Sequence, residues 1–235
     1  MLKHNKIKNT FAAKSWLISG WGIYKQKPLT WTLMVLILAI FLMIGMSSAI
    51  GRVIAVMLTP VFAGGIYVAA NKIDNGEPIA IEHIFAMFKD SQKLKQLLII
   101  GGIGVAVVGL NYIIQNMTGS DYQMRYKSGT SSYYDNQITT PGGILNTLIS
   151  WVWGFASLFS IPLVAIKNQM AIESLKSSLS ACFDNLISIV IFSVISFVLM
   201  FVGIIPFGLG LLVVMPVLIC TSYFAFKMVY LDVKE

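Results

Sequence analysis

The chain has 235 residues, 57% of them apolar and 11% charged, with a formal net charge of +7 and a mean hydropathy of +0.78. A soluble domain carries about 25% charged residues, so a particle of this composition has too little polar surface to cover itself. That excludes an ordinary soluble enzyme, a disordered chain and a collagen-like fibre, and leaves a polytopic membrane protein.

Residues 1–28 form a basic N-terminal segment. Within it, Ala13, Leu17, Gly20, Trp21, Tyr24 and Pro28 follow helical spacing and predict an interfacial amphipathic helix. The first apolar run, Leu29–Met46, is long enough to cross about 30 Å of hydrocarbon. Ser47-Ser48-Ala49 resembles a cleavage site. The long aromatic stretch before the run is unlike a signal-peptide n-region, and the span is expected to be retained. The second run is Ile50–Ala70. A turn at Asp74-Asn75-Gly76-Glu77-Pro78 follows, then a second amphipathic stretch with Ile81, Ile84, Phe85 and Phe88 on one face. The third run, Leu97–Gln115, leads into a polar segment, 116–143, that holds Tyr122, Tyr126, Tyr133 and Tyr134 and reads as an outer-loop insertion: a lid, a partner contact, an interfacial anchor or a disordered loop. The fourth run is Ile144–Ile166. A third amphipathic stretch carries Ile172, Leu175, Leu179, Cys182, Phe183 and Leu186, and the runs Leu186–Ile205 and Phe207–Val229 close the chain around a turn at Pro206 to Gly210. The apolar runs are continuous and do not alternate with period two, which disfavours a β-barrel. The expected fold is all-α, a single integral membrane domain over 1–235. It has six transmembrane helices in three hairpins, each preceded by a cytoplasmic-side amphipathic helix.

Charge sets the orientation. Lys3, Lys6, Lys8, Lys14, Lys25 and Lys27 precede the first span. Lys72, Lys89, Lys93 and Lys95 lie between spans two and three, Lys167 and Lys176 between four and five, and Lys227 and Lys234 near the end. Only Arg52, Arg125 and Lys127 fall on the other side. The positive-inside rule then places both termini in the cytoplasm. The basic residues form no aromatic-interleaved nucleic-acid patch, so no nucleic-acid partner is expected. A repeat is also visible. Pro60-Val61 is followed by Tyr67 and Ala69, and Pro216-Val217 by Tyr223 and Ala225, at identical offsets. With the three similar amphipathic stretches, this predicts three parallel units about an axis along the membrane normal.

Chemistry of a reacting site is missing. His4 and His83 are far apart, Cys182 and Cys220 make no metal or disulfide framework, and there is no HExxH, P-loop or G-x-S-x-G. No ionisable group lies deep in a span, which argues against a carboxylate proton relay. The chain is therefore read as a non-enzyme without a cofactor or metal. Polar span residues, among them Asn111, Asn146, Ser150, Ser193 and Thr221, are read as helix-to-helix or helix-to-backbone hydrogen bonds. The sharper alternative is a cavity lined by Asn111 and Asn146. Lys14, Lys25 and Lys27 are the candidate contacts to lipid headgroups.

The pattern Gly20-Trp21-x-x-Tyr24-x-x-x-Pro28-x-x-Trp31 resembles the GW..F...P..W opening of uncharacterised bacterial inner-membrane proteins. Pro60 to Gly65, Asp74 to Pro78, Phe85, Phe88, Pro206 to Gly210, Pro216 and Tyr223 extend the likeness over almost the whole chain. The group is similar to the YciC-like proteins and to the membrane domain attached to some glycerophosphodiester phosphodiesterases. The 116–143 segment looks longer than the family pattern. The resemblance implies a six-helix fold in a bacterial inner (plasma) membrane. It carries over no catalytic residue, because the phosphodiesterase activity belongs to a separate soluble domain. The expected function is a non-catalytic membrane protein acting through contacts with the lipid bilayer, including anionic phospholipid, or with a membrane-protein partner or second copy, in an accessory or envelope-maintenance role. The alternative is a small transporter or channel for an uncharged or amphipathic solute.

Overall fold

The computed structural model describes residues 4–7, 12–118, 141–205 and 207–231. Its elements in order are α1 (Ala12–Tyr24), α2 (Pro28–Gly45), α3 (Ala49–Asp74), a 3₁₀ helix (Ile81–Lys89), α4 (Ser91–Met117), α5 (Pro141–Lys167), α6 (Ala171–Asp184), α7 (Leu186–Ile204) and α8 (Leu211–Phe226), which continues as a π-helical turn, Lys227–Leu231. Among the described residues, α2, α3, α4, α5, α7 and α8 with its π turn are long and apolar enough to cross a membrane. The protein is thus all-helical where described, and a multi-pass membrane protein. The tyrosines of the polar segment, Arg125, Lys127, Lys3, Lys8, Pro206 and Lys234 lie outside the described residues.

Local chemistry explains where helices begin and end. Pro28 opens α2 at a position where its missing N–H costs nothing. Ser48 Oγ accepts from Gly51 N at 3.0 Å to cap α3. Asp90 accepts from Gln92 N and Lys93 N to cap α4. That cap lets α4 start at Ser91, ahead of its apolar run, because a polar first turn outside hydrocarbon needs only its free N–H groups satisfied. Asn168 stops α5 in the left-handed region at φ 56°. Pro216 inside α8 leaves the Leu212 carbonyl without its helical donor, and Thr32 Oγ1 from α2 supplies one at 3.3 Å.

The three short helices pack in a consistent way. The 3₁₀ helix lies on α3 and also touches α2. α6 lies on α5 and touches α4, and α1 lies on α8 and touches α7. Each short helix therefore rests on the pair of long helices that precedes it, and for α1 the preceding pair is the last one in the chain. Small residues make these approaches close. A methyl group added at Gly20 of α1 would sit 2.5 Å from Thr221 Oγ1 and 2.6 Å from Thr221 N on α8. Gly65 of α3 meets the backbone carbonyls of His83 and Ile84 in the same way, and Gly101 of α4 meets Met57 of α3.

The buried faces differ from those expected. In α1 the core residues are Ala12, Ala13, Trp16, Gly20, Ile23 and Tyr24, whereas Trp21 is 43% exposed. The second stretch is a 3₁₀ helix, whose three-residue turn puts Ile84 and Met87 on the buried edge and turns Phe85 and Phe88 outward. In α6 the buried face is small and polar, with Ala171, Ser174, Ser177, Ser178, Ala181 and Cys182, while Ile172 and Phe183 point outward. In a bilayer this inversion is stable, because lipid accepts the large apolar side chains and close helix contact wants small ones.

Candidate functional site

The outward face of α1 carries the candidate headgroup residues. Lys14, Lys25 and Lys27 are all exposed. Lys14, Ile18, Trp21 and Lys25 share one stripe of the helix by their spacing. Trp21 stacks on Tyr24 with ring centroids 5.4 Å apart, and Lys25 Nζ lies 6.0 Å from the Trp21 ring. None of the three lysines pairs with a carboxylate among the described residues, whereas Lys72, Lys93 and Lys227 do. The opposite face is held by the Gly20–Thr221 contact and by Trp16 Nε1, which donates to Met228 Sδ at 2.8 Å.

Asn111 lies on α4 and Asn146 on α5, two helices that pack together. Asn111 Nδ2 donates to Ser150 Oγ at 3.2 Å. The Oδ1 atoms of both asparagines are buried and have no hydrogen-bond partner among the described residues. Eight other span hydroxyls bond to their own helices instead. Those of Thr59, Thr147, Ser157, Ser160, Ser193, Ser196, Thr221 and Ser222 donate to a carbonyl three or four residues earlier on the same helix, at 2.6–3.1 Å. Each is absorbed by its own backbone.

Two polar clusters were not anticipated. At the ends of α3 and α8, Lys227 Nζ meets Asp74 Oδ2 at 2.6 Å. Tyr223 OH donates to the same oxygen at 2.8 Å and to Asn71 Oδ1 at 3.2 Å. The sequence held a signal for this: Asn71 and Lys227 stand at the same offset from Pro60 and Pro216. The second cluster ties residues 4–7 to the fold. Asn5 N donates to Val229 O at 2.9 Å, and its side chain donates to Met228 O at 3.1 Å. Asn185 accepts from Ile7 N at 2.6 Å and donates to Asn5 O at 3.1 Å, and His4 Nε2 meets Asp184 Oδ2 at 2.7 Å.

Ser178 of α6 has a separate structural role. Its hydroxyl donates to Phe155 O at 2.7 Å and accepts from Phe159 N at 3.0 Å, so it sits across one rung of α5. Cys182 Sγ also donates to Phe155 O, at 3.3 Å, and burial pushes its thiol up to about 12. Both cysteines are free and buried. Among the described residues no three His, Cys, Asp or Glu side chains gather where a metal could be held. Compared with family models, curated proteins and solved structures, the chain matches none.

Proposed function

We propose that this protein is a non-catalytic component of a bacterial inner membrane that works through contacts with lipid or with another membrane protein, in an accessory or envelope-maintenance role. One observation carries the reading. Eight span hydroxyls donate to carbonyls of their own helices, which favours helix packing over a shared polar lining for a solute path. The same proposal has both termini cytoplasmic and three repeated units, each an amphipathic helix followed by a transmembrane hairpin. The cyclic seating of α1, the 3₁₀ helix and α6 on the preceding pairs supports those units. The likeness to YciC-like proteins belongs to this reading too.

A second reading has one observation in its favour. The partnerless Asn111 and Asn146 oxygens would suit a small transporter for an uncharged or amphipathic solute. Proteoliposome flux separates the two. Solute flux no faster than in empty liposomes fits the contact reading. Flux that Asn111→Leu or Asn146→Leu abolishes overturns it.

A further inference from the structure

We infer that the outward stripe of α1, Lys14, Ile18, Trp21 and Lys25 with Lys27 beyond it, is a binding site for the phosphate headgroup of an anionic phospholipid. The inference rests on the contact reading above and names its ligand. Residues spaced like Lys14 and Lys25 fall on nearly the same azimuth of a helix, about 16 Å apart along it. Ile18 and Trp21 lie between them, 61% and 43% exposed. An apolar strip between two ammonium groups suits a ligand that is anionic at one end and hydrocarbon at the other. The indole is not free to turn inward: it stacks on Tyr24, which is itself buried, and holds the Lys25 ammonium near its face. Such aromatic and lysine pairs sit well at the headgroup level of a bilayer.

Charge complementarity selects the occupant. Lys14, Lys25 and Lys27 are exposed, and no described carboxylate pairs with them. The adjoining first turn of α2 contains no acidic residue, and Lys27 provides no side-chain cap, so nothing acidic there opposes a phosphate. The far side of α1 is locked on α8, which presents the stripe at a fixed place. Neutralising surface lysines elsewhere removes charge without removing this arrangement.

The test uses the full chain in detergent, titrated with phosphatidylglycerol or phosphatidylcholine and read as lipid adducts by native mass spectrometry. The expected result is preferential retention of phosphatidylglycerol. Lys14→Gln, Lys25→Gln and Lys27→Gln together should weaken that retention on the order of a hundredfold, taking roughly fivefold per lysine. Lys89→Gln, Lys95→Gln and Lys176→Gln, which remove the same charge from other exposed positions, should leave it within about twofold. Trp21→Leu should give a partial loss of retention at a small cost in stability, because its ring lies outside the core and its main packing partner is Tyr24. Equal losses in both lysine triples would reduce the effect to net charge and overturn the site. So would unchanged retention in the first triple. Either failure leaves the contact reading standing, because a lipid held elsewhere or a membrane-protein partner would still satisfy it, and flux tests it separately.

Discussion

Replacing Gly20 with Ala tests how α1 is seated, and Gly22→Ala is its internal control. Both glycines lie in the same helix, so both substitutions gain the same helix propensity, about 1 kcal/mol. They differ in what the new methyl group meets. At Gly22 nothing lies within 4 Å, whereas at Gly20 the methyl group would sit 2.5 Å from Thr221 Oγ1, 2.6 Å from Thr221 N and 2.8 Å from Thr221 Cα. The opposing atoms are largely backbone, so no rotamer change relieves the clash and α1 must move off α8. Overpacking of this kind costs about 1–3 kcal/mol. The propensity gain cancels in the comparison, and the Gly20 variant should be less stable than the Gly22 variant by about that amount. Reversible unfolding in mixed micelles, followed by far-UV circular dichroism, measures the difference. Equal stability of the two variants would mean that α1 does not rest on Thr221, and the cyclic packing would lose its closing contact.

Thr32→Val removes the donor that serves the Leu212 carbonyl, and should cost about 1 kcal/mol in the same unfolding assay. Adding Pro216→Ala should reduce that cost, because α8 then regains its own donor. Lys227→Met strands Asp74, whose side chain is only 12% exposed, and should cost on the order of 2 kcal/mol. The Asp74→Asn, Lys227→Met double variant should recover most of the loss, and a double-mutant cycle reads the coupling. The Cys182 thiol, raised by burial to about 12, should resist maleimide at pH 8 until the protein is unfolded. Because the folded thiol holds its proton more tightly than an unfolded one, its contribution is intact below about pH 9 and is lost as pH rises toward 12. A Cys182→Ala variant should lack that part of the alkaline loss.

The long helices were legible because hydrocarbon thickness imposes a length that apolar runs display directly. The expected run Leu186–Ile205 and the observed α7, Leu186–Ile204, differ only at the end. The first-turn residues of α4 were missed because they are polar and are held by the Asp90 cap. The faces of the short helices were harder. Apolar periodicity marks the core when the alternative is water, but lipid also welcomes Ile172 and Phe183. Small residues were the better guide: Gly20, Gly65 and Ser178 each mark a short-helix contact. Trp16 and Trp21 could not be ranked from α1 alone, since what buries Trp16 is Phe192 and Met228 from the last pair of long helices. The Asp74–Lys227 pair joins residues far apart in the chain, and the only hint was that Asn71, beside Asp74 in the cluster, stands at the same offset from Pro60 as Lys227 does from Pro216. Asn111 reaches Ser150 on α5, and the Oδ1 atoms of Asn111 and Asn146 are both buried without a partner among the described residues.

The central claim is that this protein works by holding something in the bilayer. Native mass spectrometry of the protein gently extracted from its own membrane tests that most directly. The account predicts anionic phospholipid, or one membrane-protein partner, retained at fixed stoichiometry. A bare protein that keeps neither lipid nor partner, under conditions where it stays folded, would contradict it.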